Sequence, residues 1–218
     1  MHTLPGMVVF DLDGTLVDSL RATFQALDAA LSPILKRRLE ISDLIHHIRR
    51  TDTAMLQRLA PEEEYPDALR RYLDYYLTHP GCAPLFPCVP AMLQRLAARR
   101  TPLAVVTGRG RASLDILAAQ ADLKALIPVI IAGDDGPLPK PAPDGVLLAA
   151  QRLGVDPAGG WMVGDGPDDI RCGKACGMIT VATRWCGLIP EAQIAAACPD
   201  HVVDTVSRLE ELLGLSRP

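Results

Sequence analysis

Six short apolar runs punctuate the chain, at 7–10, 103–106, 129–132, 161–163, 179–182 and 201–203, and turn-forming or polar residues follow each of them closely. Runs of this length and bounding read as strands buried on both faces. Between them, apolar residues recur every three or four positions over 89–100, 111–121, 143–153, 167–176, 190–197 and 205–214, which predicts helices with one apolar stripe each. Strand and helix in alternation predict an α/β fold: a doubly wound, Rossmann-like parallel sheet with helices on both faces.

One connection breaks the rhythm. Ninety-one residues separate Thr15, just past the first run, from Thr107, just past the second, whereas a strand-helix-strand crossover needs about a third of that. The excess carries three helical patterns: Leu20, Phe24, Leu27, Leu31; then Ile41, Leu44, Ile45, Ile48, Met55, Leu56, Leu59; then Leu69, Tyr72, Leu73, Tyr76, Leu77. The stretch from His79 to Pro87 has three prolines and a glycine, which ends helicity. Residues 17–84 are therefore expected to form an inserted helical cap on a core built from 1–16 and 85–218. Thr107 and Lys140 lie 33 positions apart, which predicts one helix and one strand between them and nothing more.

The strand ends carry the candidate chemistry. The first run closes on Asp11-Leu12-Asp13-Gly14-Thr15, two carboxylates one residue apart with a glycine to relieve the turn. The second ends in Thr107-Gly108, a hydroxyl and an open amide. A third segment offers Lys140 between two prolines, and the fourth run ends in Gly164-Asp165-Gly166-Pro167-Asp168-Asp169. In α/β sheets ligands bind at the carboxyl ends of the strands, so all four segments share one edge. Gly108-x-Gly110-x-x-Ser113 has the start of a dinucleotide loop but lacks its third glycine.

In their order, Asp-x-Asp-Gly-Thr, Thr, Lys-Pro and Gly-Asp-x-x-x-Asp closely resemble the four motifs of the haloacid dehalogenase-like hydrolase superfamily. Residues 8–19, 132–144 and 164–170 look most like its phosphoglycolate phosphatase branch. The resemblance implies that Asp11 is the nucleophile that becomes an aspartyl phosphate and that Asp13 is the general acid and base. It implies Mg²⁺ held by Asp11, the Asp13 carbonyl and Asp165, with Asp169 as a more distant or water-mediated partner and Asp168 as the alternative. Thr107, the Gly108 amide and Lys140 are the implied phosphate donors. Relatives commonly carry asparagine where Gly108 stands. Asp134 and Asp135 either orient Lys140 or serve only the turn.

The expected activity is an Mg²⁺-dependent phosphatase for a small phosphorylated metabolite, with phosphoglycolate the first substrate to try. A sugar-phosphate or nucleotide phosphatase, a pyrophosphatase and a β-phosphoglucomutase-like phosphomutase share these motifs and stay open. A phospho-acceptor receiver domain lacks so long a helical insertion. Selectivity is expected from the cap, where Arg49 and Arg50 either pair with a distal substrate anion or stay solvated.

Composition narrows the setting. With 49% hydrophobic and 22% charged residues the chain is an ordinary globular protein, and its net charge of −4 gives no basic footprint for nucleic acid. No apolar run approaches the length of a membrane span, and the first run is interrupted by Asp11 and Asp13. A cytoplasmic enzyme without a membrane partner is expected. The six cysteines show no zinc-binding spacing and are expected as reduced thiols, with Cys172 and Cys176 as small buried residues.

Overall fold

The computed structural model describes residues 6–40, 43 and 51–215. Strand β1 (Val8–Phe10) lies at the middle of a sheet whose other members are β2 (Leu103–Val106), β3 (Val129–Ile131), β4 (Trp161–Gly164), β5 (Ile179–Thr183) and β6 (His201–Val203). The spatial order is β3-β2-β1-β4-β5-β6, and every pairing is parallel. Val8 stands in register with Leu103 on one side and Trp161 on the other. The chain thus builds outward from β1 to β3, then returns to β4 and builds the other way. That reversal opens a crevice between the carboxyl ends of β1 and β4.

The two-residue period of the strands divides the core. Met7 and Val9 join Ala104, Val106, Ile131 and Met162 on one face, packed on α7 (Asp144–Leu153) and α8 (Pro167–Ala175). Val8 and Phe10 join Leu103, Val105, Val163 and Val181 on the other, packed with α4 (Val89–Ala98), α5 (Arg111–Gln120) and α10 (Val206–Leu212). Each fully buried aliphatic side chain stabilises the fold by about 1.5–3 kcal/mol, so short strands suffice when both faces are covered. Cys172 and Cys176 are buried in the first face.

A helical cap is inserted after β1. It contains α1 (Leu20–Leu35), α2 (Asp52–Leu59), a 3₁₀ turn (Glu62–Glu64) and α3 (Tyr65–Thr78). Helices α1 and α3 pack together through Ala26, Leu27, Leu31, Ala68, Tyr72 and Tyr76, and this apolar cluster runs unbroken into the sheet. Of the third cap pattern, Leu77 departs from expectation: it is 59% exposed, one residue beyond the stripe that buries Tyr72 and Tyr76. The two linkers pair antiparallel, Phe86 N–H donating to Leu16 and Asp18 N–H to Pro84, both at 2.9 Å. Trp185 Nε1 donates to the Thr15 carbonyl at 3.0 Å and its ring meets Phe86 edge-on, tying both linkers to the loop after β5.

The segment between Thr107 and Lys140 holds more than expected. A further short helix, α6 (Leu123–Leu126), follows α5. Asp122 takes a left-handed conformation with φ of 50°, which breaks the first helix and starts the second, and Leu123 is buried beneath it. The remaining helix, α9 (Glu191–Ala197), covers β5 through Ile194 and Ala197. Among the described residues no helix is long and apolar enough to cross a membrane.

Candidate active site

Asp11 is the first residue past β1, and its N–H donates to the Val163 carbonyl of β4 at 2.8 Å, which fixes it over the crevice. Asp165 follows β4, and Asp169 lies in the first turn of α8. Two glycines allow the carboxylates to converge. A Cβ on Gly14, whose φ is +81°, would collide with the Asp165 carboxylate, and one on Gly164 would collide with Asp169. Asp169 Oδ2 accepts the Gly166 N–H at 3.0 Å, anchoring the start of α8. Its Oδ1 accepts from Lys140 Nζ at 2.6 Å, and the same ammonium donates to Asp11 Oδ1 at 2.5 Å.

Carboxylate oxygens of Asp11, Asp165 and Asp169 lie within 4.8 Å of one another. Three acidic groups here face one ammonium, so the cluster carries uncompensated negative charge. The titration behaviour reflects it. Burial, then the charges of Asp169 and Asp13, push the Asp11 carboxyl up to about 7 against the pull of Lys140. Burial and the neighbouring Asp11 and Asp169 raise Asp165 well above the carboxylate range. For Lys140, burial opposes the charge, but Asp11 and Asp169 outweigh it and raise its pKa. A hard divalent cation prefers oxygen ligands, and this all-oxygen cluster, buried and short of positive charge, fits one.

Asp13 is arranged differently. Both its oxygens turn to Arg109, whose NH2 donates to Oδ1 at 2.6 Å and whose Nε donates to Oδ2 at 3.1 Å. Ser19 Oγ also donates to Oδ1, and Thr107 Oγ1 lies 3.5 Å from Oδ2. Burial would raise the Asp13 carboxyl, but Arg109 overrides it and holds the group below its ordinary value. Arg109 is 4% exposed. Its remaining N–H groups reach the cap: NH2 donates to Thr23 Oγ1 at 2.9 Å, and NH1 to Tyr76 Oη at 3.1 Å and Tyr72 Oη at 3.4 Å. Sequence reasoning passed over Arg109. Its position two residues after Thr107, on the same strand end, was the available signal, yet a single arginine between glycines reads like any surface residue.

Asp11, Asp13, Thr107, Lys140, Asp165 and Asp169 all come to the one crevice. Thr107 is buried and its hydroxyl accepts the Arg109 N–H at 3.0 Å, while Gly108 beside it is half-buried with open space where a side chain would stand. Asp168 is outside the acidic cluster and pairs with Arg171 at 3.1 Å. Asp134 and Asp135 bind elsewhere than Lys140. Asp134 accepts the Arg111 N–H at 2.8 Å, and Asp135 pairs with the Arg111 guanidinium and the Ala132 N–H, so both secure the turn before α5. Gly110 and Ser113 belong to a cap contact instead of a nucleotide loop, donating to buried Asp52 of α2. Arg49 and Arg50 lie outside the described residues.

Comparison with known proteins agrees with this geometry. The sequence pattern of the haloacid dehalogenase-like hydrolases matches residues 8–183. The chain is 32% identical to the probable phosphatase IndB of Dickeya dadantii (strain 3937), covering 93% of this chain and 91% of that one. It is 31% identical to the phosphoglycolate phosphatase of Escherichia coli (strain K12), covering 95% and 92%. The solved structure of a predicted phosphoglycolate phosphatase from Haemophilus somnus 129pt superimposes with a TM-score of 0.84 over 97% of this chain and 99% of that one, at 24% identity, and shares the fold. The chain is an enzyme of the haloacid dehalogenase-like hydrolase family, with phosphatases among its curated relatives.

Proposed function

We propose that this enzyme hydrolyses a small phosphate monoester through an aspartyl phosphate on Asp11, with phosphoglycolate the first substrate to test. One observation carries the reading: at the crevice between β1 and β4, Asp11 sits in an acidic cluster and against Lys140 at 2.5 Å. Asp11 attacks phosphorus in line. Lys140, whose ammonium is anchored by Asp11 and Asp169, and Thr107 with the Gly108 amide stabilise the charge that spreads over the equatorial oxygens. Asp13, once it has taken up a proton from solvent, gives it to the departing oxygen, then takes one from the water that hydrolyses the aspartyl phosphate.

Asp11, Asp165 and Asp169, with the Asp13 carbonyl, would hold the divalent cation, and Mg²⁺ is the first candidate. When bound, it neutralises the repulsion between a carboxylate nucleophile and a phosphate dianion. The cap, proposed as residues 17–84, excludes bulk water from the crevice and supplies selectivity. Arg49 and Arg50 remain cap residues proposed to meet a distal anion. The enzyme is placed in the cytoplasm, where such metabolites diffuse freely.

The test is phosphate release from a panel of phosphorylated metabolites with Mg²⁺. Turnover of at least one small monoester, abolished by chelator, is expected. A panel with no substrate, or full turnover in excess chelator, would refute the reading.

A further inference from the structure

Arg109 occupies an unusual place for a positive charge. Its guanidinium is almost wholly buried where the loop after β2 meets cap helices α1 and α3. Every direction in which it can donate is taken, by the two Asp13 oxygens, the Thr23 hydroxyl and the Tyr72 and Tyr76 hydroxyls. Its carbon also lies 5.2 Å from the Tyr76 ring centroid, and its NH1 is 3.9 Å from Asp52. The consequence falls on Asp13. With Ser19 and Arg109 on one oxygen, and Arg109 with the Thr107 hydroxyl 3.5 Å away on the other, both oxygens of the carboxylate are already engaged.

Asp13 must break this bidentate pair before it can exchange a proton with an ester oxygen. Leaving the buried guanidinium with only the more distant Asp52, 3.9 Å from NH1, is costly, because truncating one side of a buried pair strands the other charge. The cheapest exit is replacement by a second anion of the same shape. A carboxylate presents two oxygens in the arrangement that Asp13 presents, and Thr23 and Tyr76 already point hydroxyls at the same cation. A neutral tail offers the guanidinium nothing.

Building on the phosphatase reading above, we propose that Arg109 is the specificity-determining residue for phosphate esters of short hydroxy acids, and that it acts by exchange. The substrate's carboxylate takes the place of Asp13 on Arg109, and Asp13, parted from the guanidinium, takes up a proton from water and carries it to the leaving oxygen. Asp13 then moves only as far as one side-chain rotation allows, so the substrate's carboxylate stands within one or two carbons of the ester. Selection is therefore exerted on turnover, since an ester without the second anion binds through its phosphoryl group but leaves Asp13 engaged.

The exchange predicts rescue by a separate piece. With methyl phosphate as substrate, which lacks the second anion, added formate fills the fork of Arg109 and accelerates turnover saturably in the unmodified enzyme. Arg109→Gln loses the acceleration, and its kcat/KM for phosphoglycolate falls about tenfold to a hundredfold, the worth of a charge-assisted contact. Arg109→Lys keeps the charge without the fork and regains only part of the effect. Its thermal unfolding transition, matched to wild type, separates this result from damage to the cap.

Formate that inhibits or does nothing overturns the exchange, as does acceleration that persists in Arg109→Gln. A higher kcat on methyl phosphate than on phosphoglycolate overturns it as well. Inactivity on both esters overturns it too; each of these results leaves the phosphatase reading standing, which falls only if no monoester of the panel is turned over with Mg²⁺.

Discussion

Asp11 and Asp13 are two positions apart in sequence and opposite in electrostatic setting. Burial dominates Asp11, pushing it to about 7, while Arg109 holds Asp13 as a carboxylate. The difference lies in the partners, since Asp11 meets Lys140 in the acidic cluster and Asp13 meets Arg109 beneath the cap. Asp11→Asn keeps the volume but removes the proposed nucleophile, so phosphate release is expected to vanish while circular dichroism stays native. Asp13→Asn can neither give nor take the proton, and a loss of about 10²- to 10⁴-fold in kcat is expected. Stopped-time phosphate assays on both variants decide the matter: wild-type turnover in either would remove that residue from the chemistry.

At the scale of elements, strands β1 to β5 were legible because both faces are largely buried, which makes each a short apolar run ending in a turn, whereas β6 at the sheet edge leaves Val202 47% exposed. The core helices were legible from their period. Helix α6 was not, since four residues are too few for a period to show and its start depends on a left-handed Asp122 that the sequence does not advertise. The cap contact was hidden for another reason: burial of a charge depends on partners 50 or more residues away. Asp52, 6% exposed at the start of α2, accepts from Gly110 N–H at 2.8 Å and from the Ser113 hydroxyl on the core side. In the sequence it is simply an acid near a helix start. Asp52→Ala leaves a buried N–H unpaired and is expected to cost about 1–3 kcal/mol. Urea unfolding measures this, and a midpoint equal to wild type would show that α2 docks without Asp52.

For the whole molecule the crevice concentrates negative charge in a fold that must bury it, and pH and cation reveal the strain together. Asp11 rises from 3.8 to about 7 in the folded protein and Asp165 rises in the same direction. Between those values the native state keeps protons that the unfolded chain has released, so stability falls as pH rises across that window. Asp13 has the opposite sign, because its lowered value adds stability above 3.8 that is lost only in stronger acid. It therefore leaves the window from about 4 to about 7 to Asp11, with Asp165 acting in the same direction. The cation-free protein is expected to melt at progressively lower temperature from pH 5 to pH 7.5. The proposed Mg²⁺ would bind the ionised cluster, so the same titration in its presence should be flatter. At a hundred times its dissociation constant, a ligand of the native state adds about 2.7 kcal/mol, or about 5–10 °C in Tm for a chain this long. The Mg²⁺ shift should be largest at the alkaline end and strongly reduced in Asp165→Ala, which removes a ligand from the cluster. Melting curves with the same slope in pH whether or not Mg²⁺ is present would separate the acidic cluster from any cation and leave its buried charge to be explained by the fold alone.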